Sequence, residues 1–193
     1  MKKVIIYGGA FNPPTRAHQA ILQAVVEKAA SIDADVWLML SGQRNDKTIS
    51  SSREVRIKYA EALLSDIDSM GVNIIINTVE IDNDKPTETH QTVIDIDNKY
   101  PGRKQIWVFG SDSISTMTNW RGGEWLLNNL DMLIIQRAGY EIKNLPVNAE
   151  QLPVRPLVVS STEVRYRLEN ALSVEELVSP AVLNAINSVI QAG

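Results

Sequence analysis

Short unbroken apolar runs alternate along the chain with stretches in which apolar residues recur every three or four positions. Val4-Ile5-Ile6-Tyr7, Val36-Trp37-Leu38-Met39-Leu40, Ile74-Ile75-Ile76, Ile106-Trp107-Val108-Phe109 and Met132-Leu133-Ile134-Ile135 are runs of the first kind. They predict strands of a parallel sheet, the first two of them buried. Gly8-Gly9 closes the first run and Gly110 the fourth. Between the runs, Arg16 to Ala30 carries Ala20, Ile21, Ala24, Val25 and Ala29 at helical spacing. A second helix is predicted through Arg53 and Leu64, a third over Thr89 to Tyr100 with Val93 and Ile96 inward, and short ones around Ile114 and Leu126. Gly139 to Pro156 reads as an irregular excursion, Leu157-Val158-Val159 as a brief last strand, and Ser161 to Leu172 as a helix. Ser179-Pro180 is the cap and first turn of a C-terminal helix. Strands alternating with helices predict an α/β fold, a doubly wound parallel sheet with right-handed crossovers. One domain is expected over residues 1–193, its C-terminal helical portion covering about 161–193.

Composition narrows the chemistry. The chain of 193 residues is 44% hydrophobic and 22% charged, as in an ordinary soluble globular protein. A net charge of −4 argues against nonspecific binding to nucleic acid, but leaves room for a local basic pocket. With no cysteine, disulfides, thiolate catalysis and Cys-based zinc sites are excluded, and His18 and His90 alone make a histidine-rich metal site a poor expectation. The apolar run after Met-Lys-Lys is too short for a signal peptide, and no run has membrane-spanning length, so a cytoplasmic protein is expected.

In such a sheet, ligands bind beyond the carboxyl ends of the strands. Three polar segments stand at predicted strand ends: residues 8–18, Gly110-Ser111-Asp112, and Ser160-Ser161-Thr162-Glu163-Val164-Arg165. In the first, Gly8 and Gly9 allow close backbone approach to a ligand. Pro13 and Pro14 stiffen the turn and place Thr15 at a helix N-terminus, where free N–H groups attract anions. His18 returns to the same face one helical turn later. The segment equally fits a proline-rich turn in which Thr15 is a cap and His18 a surface residue. In the third, the hydroxyls of Ser160, Ser161 and Thr162 converge where a helix begins, and Arg165 adds a fork of donors suited to phosphate. A serine-rich cap with Arg165 in a surface ion pair also accounts for it.

Taken together, these segments resemble a known family. The first is similar to the HxGH-type signature of the nucleotidylyltransferase superfamily, and the third to the SSTxxR signature of its nicotinate or nicotinamide mononucleotide adenylyltransferases. Gly110-Ser111-Asp112 with Trp120, and Thr87 to Val93, look like further segments of the family in the right order. Lys47 and Arg53 fall where a lysine-bearing loop and an arginine-bearing helix would lie. The resemblance implies a Rossmann-like fold and transfer of the adenylyl group of ATP to a pyridine mononucleotide, with release of pyrophosphate, in NAD biosynthesis. It implies a triphosphate cradled by backbone of Gly8, Gly9, Ala10 and Phe11, with phosphates bound by Thr15 and His18. Ser160, Ser161, Thr162 and Arg165 would hold the leaving phosphates, and Gly110 and Asp112 would contact the nucleotide. Thr89, Trp120, Glu88, Lys47 and Arg53 would serve the acceptor. Mg²⁺ would come with ATP, held by its phosphates and not by side chains.

Three departures bear on the acceptor side. Arg16-Ala17 replaces an apolar residue and glycine, the loop Ser41 to Lys47 lacks the usual proline and histidine, and Glu88 replaces a tyrosine. A carboxylate at position 88 would repel a nicotinate carboxylate and accept from a nicotinamide NH₂, so a preference for the amide is expected if Glu88 faces the pocket. Rival readings are a related transferase using CTP or another phosphorylated acceptor such as phosphopantetheine, and a nucleotide-binding sensor without catalysis.

Overall fold

The computed structural model describes residues 1–43, 49–83, 85–141, 144–155 and 157–192. Six parallel strands form its sheet: β1 (Lys2–Gly9), β2 (Ala34–Leu40), β3 (Ile74–Asn77), β4 (Arg103–Gly110), β5 (Asp131–Ile135) and β6 (Ala149–Leu152). The spatial order is β3-β2-β1-β4-β5-β6. The register sets Ile6 of β1 between Trp37 of β2 and Trp107 of β4. Successive side chains in a strand face opposite sides, so an unbroken apolar run feeds two cores. Ile5, Tyr7, Val36 and Leu38 join the larger core on one face, whereas Val4, Ile6, Trp37 and Met39 join the smaller one on the other.

Helices α1 (Arg16–Ile32), α2 (Arg53–Ser65), α6 (Ser161–Glu169) and α7 (Pro180–Ala192) contribute to the first core. Helices α3 (Thr89–Lys99) and α5 (Gly123–Asn129) contribute to the second; α4 (Ser111–Thr116) and a 3₁₀ turn at Met117–Asn119 lie between them in the chain. The arrangement is the expected doubly wound sheet. It places the reversal of strand order between β1 and β4, where crossovers leave in opposite directions and open a crevice. Val93 and Ile96 point inward from α3 as expected, and both are buried. Among the described residues no helix is long and apolar enough to cross a membrane.

Three sequence expectations need correction. Leu157-Val158-Val159 is not a strand; Val158 is 92% exposed. The last strand is Ala149–Leu152, inside the segment expected to be irregular. As the sheet's edge it packs mainly through Leu152 and keeps Glu150 and Gln151 in solvent, so it needs no apolar run. The glycines Gly8 and Gly9, expected to stop β1, continue its ladder: Gly8 pairs with Met39 and Gly9 with Leu40.

Candidate active site

A cavity of about 670 Å³ lies over the β1–β4 crevice at the carboxyl ends of the strands. Its floor is the β1–α1 turn. Gly9 sits under the ring of Phe11, where an added Cβ would lie 2.9 Å from a ring carbon. Phe11 itself has φ +46°, the left-handed region that side-chain-bearing residues avoid. Burial of its ring, edge-on to Tyr7 and to His18, holds it there. The Asn12–Pro13 peptide is cis.

Thr15 and His18 form one unit at the start of α1. The Thr15 N–H donates to His18 Nδ1 at 3.0 Å, and Thr15 Oγ1 lies 2.8 Å from the same nitrogen. A backbone N–H can only donate, so Nδ1 is an acceptor and the neutral ring carries its proton on Nε2. His18 lines the cavity; Thr15, in contact with it, is buried.

Helix α6 docks onto the same turn. Arg165 donates from Nη1 to the Asn12 carbonyl at 2.7 Å and from Nη2 to Thr162 Oγ1 at 3.2 Å. Ser161 Oγ donates to the Pro13 carbonyl at 2.8 Å. Ser160 caps the helix by accepting from the Glu163 N–H at 3.1 Å. Ser161 and Arg165 line the cavity; Ser160 and Thr162 stand beside it.

The structure brings Gly8, Gly9, Ala10, Phe11, His18, Gly110, Asp112, Ser161 and Arg165 to the cavity, together with Glu88, Thr89 and Trp120. Trp107 and Phe109 lie nearly parallel, 6.1 Å apart, and Trp120 meets Phe109 edge-on, so one wall is aromatic. Glu88 faces this space as well. It precedes α3 and pairs with Arg121 at 3.6 Å, so its charge is not isolated. Lys47 lies outside the described residues. Arg53 is not brought to the cavity: it is exposed at the start of α2 and bonded to Asp82 at 2.6 Å.

Three contributors escaped the sequence. Arg56, one turn after Arg53, is 3% exposed and donates to the carbonyls of Ala10 (2.8 Å) and Ser41 (2.6 Å). It therefore ties the β1–α1 turn to the end of β2. Its signal was present: Arg56, Tyr59, Ala60 and Leu63 are the buried face of α2, at spacing i, i+3, i+4, i+7. Asn12 is buried and offers its carbonyl to Arg165. Arg137, two residues beyond the end of β5, reaches the cavity beside Asp112.

A parallel sheet in this order, with a cavity at the strand switch point and imidazole, hydroxyl and guanidinium donors around its glycine turn, defines a Rossmann-like protein built for a nucleotide-sized anion. A family model described as cytidylyltransferase-like matches residues 6–167, and the chain belongs to that family. It is 27% identical over 187 residues to the nicotinate-nucleotide adenylyltransferase of Bacillus subtilis (strain 168), covering 94% of each chain. In structure it is similar to the nicotinic acid mononucleotide adenylyltransferase of Plasmodium falciparum complexed with NaAD. That match has a TM-score of 0.80 at 22% identity and covers 98% of this chain and 96% of the other. The same enzyme complexed with APC matches with a TM-score of 0.78 at 20% identity, covering 98% and 96%.

Proposed function

We propose that this protein transfers the adenylyl group of ATP to the phosphate of a nicotinate or nicotinamide mononucleotide and releases pyrophosphate. The observation that carries this reading is the pinning of α6 to the β1–α1 turn. Arg165 and Ser161, bonded to that turn, then line one cavity with His18 and with the aromatic residues Trp107, Phe109 and Trp120. The donors suit a polyphosphate and the aromatic wall a flat heterocycle. The relatives named above support the choice of adenylyl donor and pyridine acceptor.

In the proposed reaction an acceptor phosphate oxygen attacks the α-phosphorus of ATP. The bond from that phosphorus to the β-bridging oxygen breaks, and pyrophosphate leaves with the electron pair. The acceptor is already an anion, so no base is required, and no covalent enzyme intermediate forms. His18 Nε2–H donates to the charge that develops on the transferred group. Arg165, held by Asn12 and Thr162, directs its remaining donors at the leaving phosphates. The donor set fits anions and not a bare cation, so a divalent ion would enter on the triphosphate, where it would neutralise charge.

Pyrophosphate release should be measured with ATP or CTP against nicotinate mononucleotide, nicotinamide mononucleotide and phosphopantetheine. Release is expected with ATP and a pyridine mononucleotide. Turnover only with CTP or only with phosphopantetheine would overturn the assignment, and ATP binding without release from any pair would mark a sensor.

A further inference from the structure

The aromatic wall of the cavity is tied to a polar residue beneath it. Along β4, Gln105, Trp107 and Phe109 alternate onto one face of the sheet. That face belongs to the smaller core, which is otherwise apolar: Val4, Ile6, Trp37, Met132 and Ile134 pack there. Gln105 is 8% exposed and stands opposite Val4 in the ladder. Burying an amide among such neighbours is costly unless its polar atoms are all used.

All of them are used. Gln105 Nε2 donates to the Val93 carbonyl at 3.1 Å and to Asp97 Oδ1 at 2.6 Å, both on α3. Its Oε1 accepts from Trp107 Nε1 at 2.9 Å. Turning the amide over would set its NH₂ against the indole N–H and its oxygen against two acceptors, so one orientation alone is satisfied. That orientation also selects one pose of the indole. Trp107 is 3% exposed, lies nearly parallel to Phe109, and Phe109 meets Trp120 edge-on. All three rings line the cavity, and Gln105 does not. Val93 and Asp97 follow Thr89 by one and two helical turns, and Thr89 lines the cavity too. A single buried amide therefore fixes the aromatic wall relative to α3.

We infer that Gln105 is a positioning residue for the flat heterocycle of the acceptor, acting through Trp107 without touching the ligand. This rests on the proposed reaction, in which Thr89 and Trp120 serve the acceptor. Contacts between aromatic rings depend on their offset and tilt, and a close-packed core passes a rotation of Trp107 on to Phe109 and Trp120. Because Gln105 takes the indole N–H, Trp107 offers the ligand ring surface and not a donor. The phosphate-facing residues His18, Ser161 and Arg165 are carried by α1 and α6, so the triphosphate is held independently of this amide.

The test is steady-state kinetics at saturating ATP with nicotinate and nicotinamide mononucleotides, on the parent, Gln105→Met, Trp107→Phe and the double variant, with calorimetric titration of each by ATP. Methionine keeps the length of the side chain and removes the amide. Gln105→Met is expected to raise acceptor KM roughly three- to tenfold, the weight of one aromatic contact. Its kcat and its ATP affinity should stay near those of the parent. Trp107→Phe removes the indole N–H and should also raise acceptor KM with ATP affinity unchanged. In that background Gln105→Met should add little, since the group through which Gln105 acts is gone. The double variant leaves no indole donor unpaired, so its comparison with Trp107→Phe serves if Gln105→Met alone fails to fold. An unchanged acceptor KM in folded Gln105→Met, equal losses for acceptor and ATP, or effects that simply add in the double variant would each defeat the inference. A parent with no turnover on either mononucleotide would sink the proposed reaction itself, whereas a parent that turns over and a variant that matches it would sink the role of Gln105 alone.

Discussion

Replacing Arg56 by methionine should lower stability as much as a large core deletion, although no apolar contact is lost. Methionine matches the length of the stem and fills most of its volume, so the change isolates the guanidinium. Two hydrogen bonds disappear, to the carbonyls of Ala10 at 2.8 Å and Ser41 at 2.6 Å. With Arg56 only 3% exposed, water has little access to replace them. Leaving a buried acceptor unpaired costs roughly 1–3 kcal/mol. Against this stands the desolvation of the arginine itself: burial pushes the Arg56 pKa down, and Glu80 nearby opposes the shift. Methionine escapes that penalty, which leaves a net loss of about 2–3 kcal/mol. For a chain of this size the loss corresponds to a fall in Tm of about 5–10 °C. Urea unfolding followed by tryptophan fluorescence measures the change directly. Because Ala10 is freed from its tether, kcat should also fall in the fully folded variant, with a smaller change in acceptor KM. A loss below about 0.5 kcal/mol, within the range of an ordinary surface substitution, would refute the reasoning.

Four further outcomes are expected. His18→Ala should lower turnover by roughly 10²–10³, the loss expected for one preorganised donor, and a folded variant with near-parent turnover would remove His18 from the reaction. Arg165→Lys should weaken ATP binding or turnover and leave acceptor affinity nearly unchanged; calorimetry showing equal losses for both substrates would make Arg165 structural. Asp35 is buried, and although burial pushes its carboxyl pKa up, the stronger combined pull of Arg103 and Lys2 holds it below its ordinary value of 3.8. A depressed carboxylate stabilises above its unfolded pKa and loses that contribution as pH falls through the folded one, so Asp35→Asn should cost about 1.5–3 kcal/mol near neutrality and progressively less below its ordinary value, as pH-dependent denaturation would show. Glu88→Gln frees Arg121 and should shift kcat/KM toward the acid mononucleotide by roughly two- to fivefold, the range of an exposed ion pair; a ratio unmoved by the substitution would exclude the pair from acceptor choice.

Most of the legible fold was the part buried on both sides; edge strand β3 was legible from Ile74-Ile75-Ile76 although Ile75 is exposed. Strands β1, β2, β4 and β5 show as unbroken apolar runs because each face of each strand meets a core. Edge strand β6 meets solvent through Glu150 and Gln151 and carries no such signature, while the exposed Leu157-Val158-Val159 imitates one. At the site, glycines, the Thr15/His18 pair and the serine cap were legible because their spacing is local. Arg56 was not, since its partners Ala10 and Ser41 lie 46 and 15 residues away and meet only through the sheet. The same distance hid Arg137, whose neighbours Gly110 and Asp112 belong to another strand end. Glu88 was legible as a facing carboxylate but not as half of a pair, and Arg121 weakens the argument for an amide preference that rests on an unpaired charge.

The β1–α1 turn shows why its supports matter more than its glycines alone. Pro13 and Pro14 have no N–H, and the N–H of Thr15 is taken by His18, so the donors available to an anion narrow to those of residues before Pro13. Three carbonyls of the same turn are held by side chains: Ala10 by Arg56, Asn12 by Arg165 and Pro13 by Ser161. The N–H of a trans peptide points opposite to its carbonyl, so fixing the Ala10 carbonyl also fixes the direction of the Phe11 N–H. Arg56, from a distant helix, therefore sets the orientation of a backbone donor without having to contact the phosphate it would serve, while Arg165 and Ser161 hold the proline part of the turn. Substituting Arg56 should accordingly impair transfer in a protein that retains His18, Ser161 and Arg165, as a device that positions backbone dipoles requires.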